Sequence, residues 1–183
     1  LKTDLATYNN NWYQPGSRIK LLCWYVVNIL FFINPLNPSS SLKIHLLRLF
    51  GAKIGAGVVI KPGVNIKYPW FLTIGNNCWI GESVWIDNLD KVSLEDNVCI
   101  SQGALLLCGN HNYKKPSFDL MVAPICLKEG SWVGAKSSVA PGVTLQSHAV
   151  LSMGSVATSS LEAYGIYSGN PAVKVKERIF KMS

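Results

Sequence analysis

Residues 54–157 predict an all-β solenoid of about five triangular coils, and three regularities carry that prediction. First, an aliphatic or small residue returns every six positions: Ile54, Ile60, Ile66; Ile74, Ile80, Ile86; Leu94, Ile100, Leu106; then Leu127, Val133, Val139, Leu145, Leu151 and, more weakly, Ala157. An α-helix repeats near 3.6 residues and a plain strand every two, so a six-residue period needs a short strand plus a corner. Second, four residues after the aliphatic comes another small or branched group, as at Val58, Val64, Cys78, Val84, Val98, Ala104, Ser131, Ser137, Val143, Ala149 and Ser155. Both positions point into a narrow interior. Third, the interruptions fall in one place. Two extra residues separate Ile66 from Ile74 and Ile86 from Leu94, and the long excursion before Leu127 also follows a third hexad. With three hexads per coil, all three insertions leave one edge of a prism and its stacked faces stay undisturbed. Five coils at ~4.8 Å per layer stand about 24 Å tall.

The flanking segments follow in order. Residues 1–51 predict an N-terminal helical cap. Residues 1–16 are polar and end in the turn signal Pro15-Gly16. Leu21 to Ile33 is apolar apart from Asn28, with Arg18 and Lys20 just before it. As a helix this run spans about 20 Å, short of the ~30 Å of a bilayer core. It either caps the open end of the solenoid, which a solenoid requires, or lies on a membrane face beside its basic residues; one segment can do both. Pro35 and Pro38 break it. Ser39 to Ser41 offer N-caps for a second helix whose Leu42, Leu46, Leu49 and Phe50 keep helical spacing, and Gly51 ends it at a left-handed position. The β-helix itself then occupies 52–161 with an inserted loop at 108–124, and 162–183 form a C-terminal tail.

In a chain of 183 residues, 49% hydrophobic and 15% charged, one ordered domain with a small extension is expected. The formal charge of +7 is concentrated: residues 1–67 hold eight Lys or Arg against Asp4 alone, and the remainder balances. A basic end suits an anionic surface such as lipid better than a nucleic-acid groove, and no nucleic-acid motif is visible. The five cysteines show no CxxC and no metal-ligand spacing. With an odd count and no signal peptide, they suggest a reduced, cytoplasmic setting and no metal.

Of the three histidines, His45 falls in the second cap helix and His148 on a coil corner. His111 stands instead at the root of the one long loop, where the regular stack stops. Imidazole titrates near neutrality and can relay a proton, so this is the residue on which general-base chemistry would rest. Cys108 lies three residues away, but nothing pairs it convincingly with His111 as a nucleophile.

The chain resembles the hexapeptide-repeat acyltransferases, the left-handed parallel β-helix family. The resemblance runs through Leu36-Asn37-Pro38, Leu49-Phe50-Gly51-Ala52, Ile60-Lys61-Pro62-Gly63-Val64, Val98-Cys99-Ile100-Ser101-Gln102-Gly103-Ala104, Gly109-Asn110-His111, Val139-Ala140-Pro141-Gly142-Val143 and Gly169-Asn170-Pro171-Ala172. Its sugar O-acetyltransferase branch, and there the colanic acid biosynthesis acetyltransferases of exopolysaccharide clusters, looks most similar. The hand of the helix comes from that resemblance; crossover statistics alone favour the right.

The resemblance implies acetyl-CoA as acyl donor, a homotrimer with sites between neighbouring prisms, and His111 as catalytic base. It places Asp87 and Asn110 at the acceptor sugar, although Asp87-Asn88 also suits a plain corner turn. It places Trp132, Gly134 and Ala135 along the pantetheine arm, with the Ala135 N–H as oxyanion donor, and Met153, Gly154 and Ser155 on the next strip. Lys174, Lys176 and Arg178 would meet the coenzyme phosphates. Two departures stand out: Asn112 replaces the Asp common after this histidine, and Val173 precedes the basic Lys174. The implied reaction is O-acetylation of a sugar hydroxyl in exopolysaccharide synthesis, by direct attack in a ternary complex. The basic, apolar N-terminus leans toward a lipid-linked acceptor and peripheral membrane contact. N-acylation of an amino-sugar nucleotide and a non-catalytic scaffolding solenoid are the alternatives.

Overall fold

A computed structural model of the chain describes residues 2–181. Three flat parallel faces enclose an aliphatic interior. The first face stacks Lys53–Ile54, Leu72–Ile74, Val92–Leu94, Ile125–Leu127 and Thr144–Leu145. The second stacks Val59–Ile60, Trp79–Ile80, Cys99–Ile100, Trp132–Val133, Val150–Leu151 and Gly165–Gly169. The third stacks Asn65–Ile66, Trp85–Asp87, Leu105–Leu107, Ser138–Val139 and Val156–Ala157. The hexad aliphatics pair in register, Ile60 on Ile80, Ile80 on Ile100, Ile100 on Val133 and Val133 on Leu151. From Ile60 on, each predicted ladder residue is buried, and so is every small residue of the second slot.

All three insertions leave the edge between the third and first faces, as the spacing predicts. The first two are tied together: Asn88 accepts from the Tyr68 N–H at 3.0 Å and donates to the Tyr68 carbonyl at 2.6 Å. The third folds into an antiparallel hairpin, Gly109–His111 against Leu120–Val122.

The stack is longer than five coils. Leu161 bridges to Leu145, Gly165–Gly169 pairs parallel with Val150–Leu151, and a sixth turn begins. Ala172–Glu177 then folds back antiparallel on Gly165–Gly169. The segment expected to be a tail is therefore largely strand, and it closes the top of the second face. The hexad rule misses it because Leu161 follows Ala157 by four residues instead of six.

At the other end, helix α1 (Arg18–Val27) runs into a π-helical turn, Asn28–Ile33, and α2 covers Ser40–Leu49. The Ser39 hydroxyl caps α2 by accepting from the Leu42 N–H, and Gly51 follows at φ +97°. The inward side of α1 is the cap. Trp24 donates to the Ile66 carbonyl at 2.8 Å and packs against Phe32 and Phe50, each at 5.1 Å. Asn28, the one polar residue of the apolar run, donates to Asn65 Oδ1 at 2.7 Å and so meets the first coil's open edge. The basic N-terminal charge is partly structural. Lys43 is fully buried and donates to the Asn37 and Lys61 carbonyls, burial pulling its pKa below the usual lysine value, and Arg48 donates to the Ile54 and Gly55 carbonyls. No helix among the described residues is long and apolar enough to cross a membrane.

Candidate active site

His111 ends the first strand of the hairpin, so two strands hold it outside the regular stack. Its Nδ1 lies 2.8 Å from the Phe118 carbonyl oxygen, and the Phe118 ring stacks on it at 4.5 Å with planes 7° apart. Phe118 adopts the left-handed backbone conformation, at φ +53°. A carbonyl can only accept, so in the neutral ring the proton sits on Nδ1 and the lone pair on Nε2.

The ring lines a cleft of about 410 Å³ with Tyr8, Tyr13, Lys67, Tyr68 and Leu89. Sequence reasoning missed the N-terminal share of it. Residues 2–16 form a strap across this corner: the Asp4 N–H reaches the Pro116 carbonyl at 2.9 Å, the Tyr13 hydroxyl donates to the Leu89 carbonyl at 2.5 Å, and Trp70 donates to the Pro15 carbonyl at 2.6 Å. Tyr8 lies 5.7 Å from the His111 ring. Burial holds the Tyr13 phenol above its ordinary pKa, so it stays a neutral donor. The only available signal was three aromatics, Tyr8, Trp12 and Tyr13, in an otherwise polar, aperiodic stretch.

Neither acceptor residue expected from the resemblance lines that cleft directly. Asp87 is 7% exposed and lies beneath Lys67, whose Nζ is 2.9 Å from Oδ1 without hydrogen-bond alignment. Asp87 therefore reaches the cleft through Lys67. Asn110 points to solvent and folds its Oδ1 onto the His111 N–H at 2.8 Å. Asn112 accepts from the Lys114 N–H at 3.1 Å, which shapes the hairpin tip. Cys108 is buried, and burial pushes its thiol up to about 12, so a thiolate is not available there.

The expected coenzyme residues gather elsewhere. Trp132, Gly134, Ala135, Met153, Lys176 and Arg178 line one groove of about 630 Å³ on the second face. The Gly134 carbonyl accepts from the Ser137 N–H at 3.3 Å, so the Ala135 N–H of the same trans peptide points the opposite way. Trp132 is braced by donating to the Ser101 hydroxyl at 2.8 Å. Three expected residues do not line this groove. Ser155 is buried and accepts from the Gly169 N–H at 3.1 Å. Gly154 sits beyond the rim at φ +69° with open space beside it. Lys174 is paired with Glu162 and Glu177 at 2.9 and 2.7 Å, which raises its pKa, Glu177 contributing most. Arg178 lies in the groove wall with its guanidinium 2.9 Å from the Gly130 carbonyl.

No group of three or more His, Cys, Asp or Glu side chains among the described residues could hold a metal ion. The histidine cleft and the groove open on different parts of the prism and share no residue.

Over 167 residues the chain is 36% identical to a protein of Escherichia coli K12 named "Putative colanic acid biosynthesis acetyltransferase WcaF", covering 91% of this chain and 92% of that one. It belongs to the hexapeptide-repeat acetyltransferases. Its fold is their left-handed β-helix. A galactoside acetyltransferase solved with coenzyme A superposes with a TM-score of 0.77 at 21% identity, covering 88% of this chain and 82% of that one. A hexapeptide-repeat acetyltransferase of Vibrio cholerae solved with acetyl-coenzyme A gives 0.76 at 16% identity, covering 89% and 87%. No family model matches the chain. As a member of this group the chain is an acyltransferase.

Proposed function

We propose that this acyltransferase moves the acetyl group of acetyl-coenzyme A onto a sugar hydroxyl of an exopolysaccharide resembling colanic acid, or of its precursor. The observation that carries the reading is the His111–Phe118 contact, because it commits one ring nitrogen and leaves the other as a base. In this reading Nε2 takes the hydroxyl proton as the sugar oxygen attacks the thioester carbonyl. The Ala135 N–H, outward from its turn, meets the oxyanion of the tetrahedral intermediate. Collapse breaks the carbon–sulfur bond, and the imidazolium returns its proton to the departing thiolate. General-base assistance of this kind is typically worth 10²–10⁴ in rate.

The separation of cleft and groove supports a shared site in a homotrimer, one chain giving His111 and its neighbour the coenzyme wall. Coenzyme A bound to the galactoside acetyltransferase and acetyl-coenzyme A bound to the Vibrio enzyme support the donor. A donor found in the cytoplasm supports a cytoplasmic location. Asp87, through Lys67, is proposed to set the polar wall of the acceptor pocket.

An acceptor panel tests the reaction. Hydroxyl-only sugars and amino-sugar nucleotides are each incubated with acetyl-coenzyme A, and thiol release is followed with the acetylated product. O-acetylated sugar is the expected product. Acetylation of amino groups alone would replace this reading with N-acylation, and no coenzyme A binding would favour the scaffold.

A further inference from the structure

A second, apolar groove of about 530 Å³ runs between α1 with its π-helical turn and the outer surface of the third face. Its walls are Leu22, Tyr25, Ile29 and Ile33, and its floor is Trp85 and Asn65. These side chains are left open: Tyr25 is 62% exposed, Trp85 47% and Ile29 41%. Contiguous apolar surface of this kind marks a binding site, and the volume lies within the range of small-molecule sites.

The groove does not end blindly. Lys67 and Tyr68 line both it and the His111 cleft. At that junction the surface changes from apolar to polar, and cations mark the change. Lys67 retains donors beyond its Asp87 contact, and Lys20 lies over the Trp70 ring at 4.2 Å, itself stacked on Tyr68 at 5.3 Å. An apolar slot, a cationic waist and a polar pocket holding a base, in that order, match an amphiphile laid end to end.

We infer that the acceptor is such an amphiphile: its saccharide occupies the His111 cleft, a phosphate link meets Lys67, and an apolar chain lies in the groove beside α1. The inference rests on the acyl-transfer reading above for what happens at the saccharide. A concave slot with a tryptophan floor suits one extended chain. A flat bilayer would instead engage the outer ridge of α1, where Val26 and Leu30 are exposed outside the groove.

Calorimetric titration of the full-length protein with farnesyl phosphate, kept below its micelle concentration, tests this. Farnesol and inorganic phosphate serve as separate arms. Saturable binding of one farnesyl phosphate per chain is expected, at least tenfold tighter than either fragment. Ile29→Glu should weaken it tenfold or more, with Tyr25→Glu as a second groove variant, whereas Val26→Glu on the outer ridge should leave it unchanged. Four results overturn the inference: no saturable binding, a fragment that binds as well as the whole, equal loss in groove and ridge variants together with lost flotation on plain anionic vesicles, or a changed oligomeric state in Ile29→Glu. The first two remove the amphiphile, the third makes the surface a membrane face and the fourth an intersubunit one. Acetyl transfer to chain-free sugars without farnesyl phosphate binding would sink this inference alone. Binding without transfer to any sugar would sink the acyl-transfer reading alone.

Discussion

Histidine acts as a one-sided base when its other nitrogen is occupied, and here the occupant is a main-chain carbonyl. Phe118 supplies both that oxygen and a ring stacked on the imidazole, so His111 is fixed in tautomer and in plane. The sequence shows His111 plainly, because it stands where the periodicity breaks. It hides Phe118, since a backbone carbonyl at φ +53° leaves no signature in residue type. Cys108 marks the opposite limit: close in sequence, yet buried and held protonated with a pKa near 12. Cys108→Ala is therefore expected to keep kcat within about threefold of the native enzyme in steady-state assays, since the proposed mechanism passes no covalent step through the thiol. A loss of a hundredfold, with folding intact, would point to an acyl-enzyme instead.

Coils and corners obey simpler rules, and they were the most legible part of the chain. Each face is a ladder of interior aliphatics, so one truncation leaves a void the neighbouring coils cannot close. Ile80→Ala is expected to cost about 2–5 kcal/mol, read calorimetrically as a melting temperature lower by roughly 5–20 °C. Corner glycines divide into two kinds. A Cβ at Gly134 would lie 2.6 Å from the Met153 nitrogen and 2.7 Å from the Leu151 carbonyl, so glycine is needed for the next coil to stack. Gly134→Ala should destabilise by about 1–3 kcal/mol in denaturant unfolding. At Gly154 the space is open and only the positive φ asks for glycine. Elements outside the hexad rule were harder to read. The C-terminal hairpin was missed because a four-residue step hides its entry, and its antiparallel return puts Lys174 between two glutamates. The strap at 2–16 was missed because its contacts are single hydrogen bonds without periodicity.

For the whole molecule, the governing fact is that one prism holds His111 in one cleft and most of the expected coenzyme residues in another groove. A solenoid is rigid along its stack, so bending is a poor way to join them, and a neighbouring chain is the economical solution. The proposed division leaves no mark in periodicity or spacing; in the sequence only the family resemblance implies it. Subunit mixing tests the division. His111→Ala and a variant with a blocked groove, Ala135→Trp, should each be inactive alone. Refolded together they should regain a measurable fraction of native turnover, because some interfaces then carry an intact histidine and an intact groove. No regain in mixed trimers would place the whole site within one chain.

The most direct measurement pairs acetyl transfer with coenzyme A binding in His111→Ala. In the proposed mechanism the imidazole accepts a proton and does not hold the donor, so kcat should fall by about 10²–10⁴ while the Kd for coenzyme A stays within about twofold. Turnover within tenfold of the native enzyme would contradict the account.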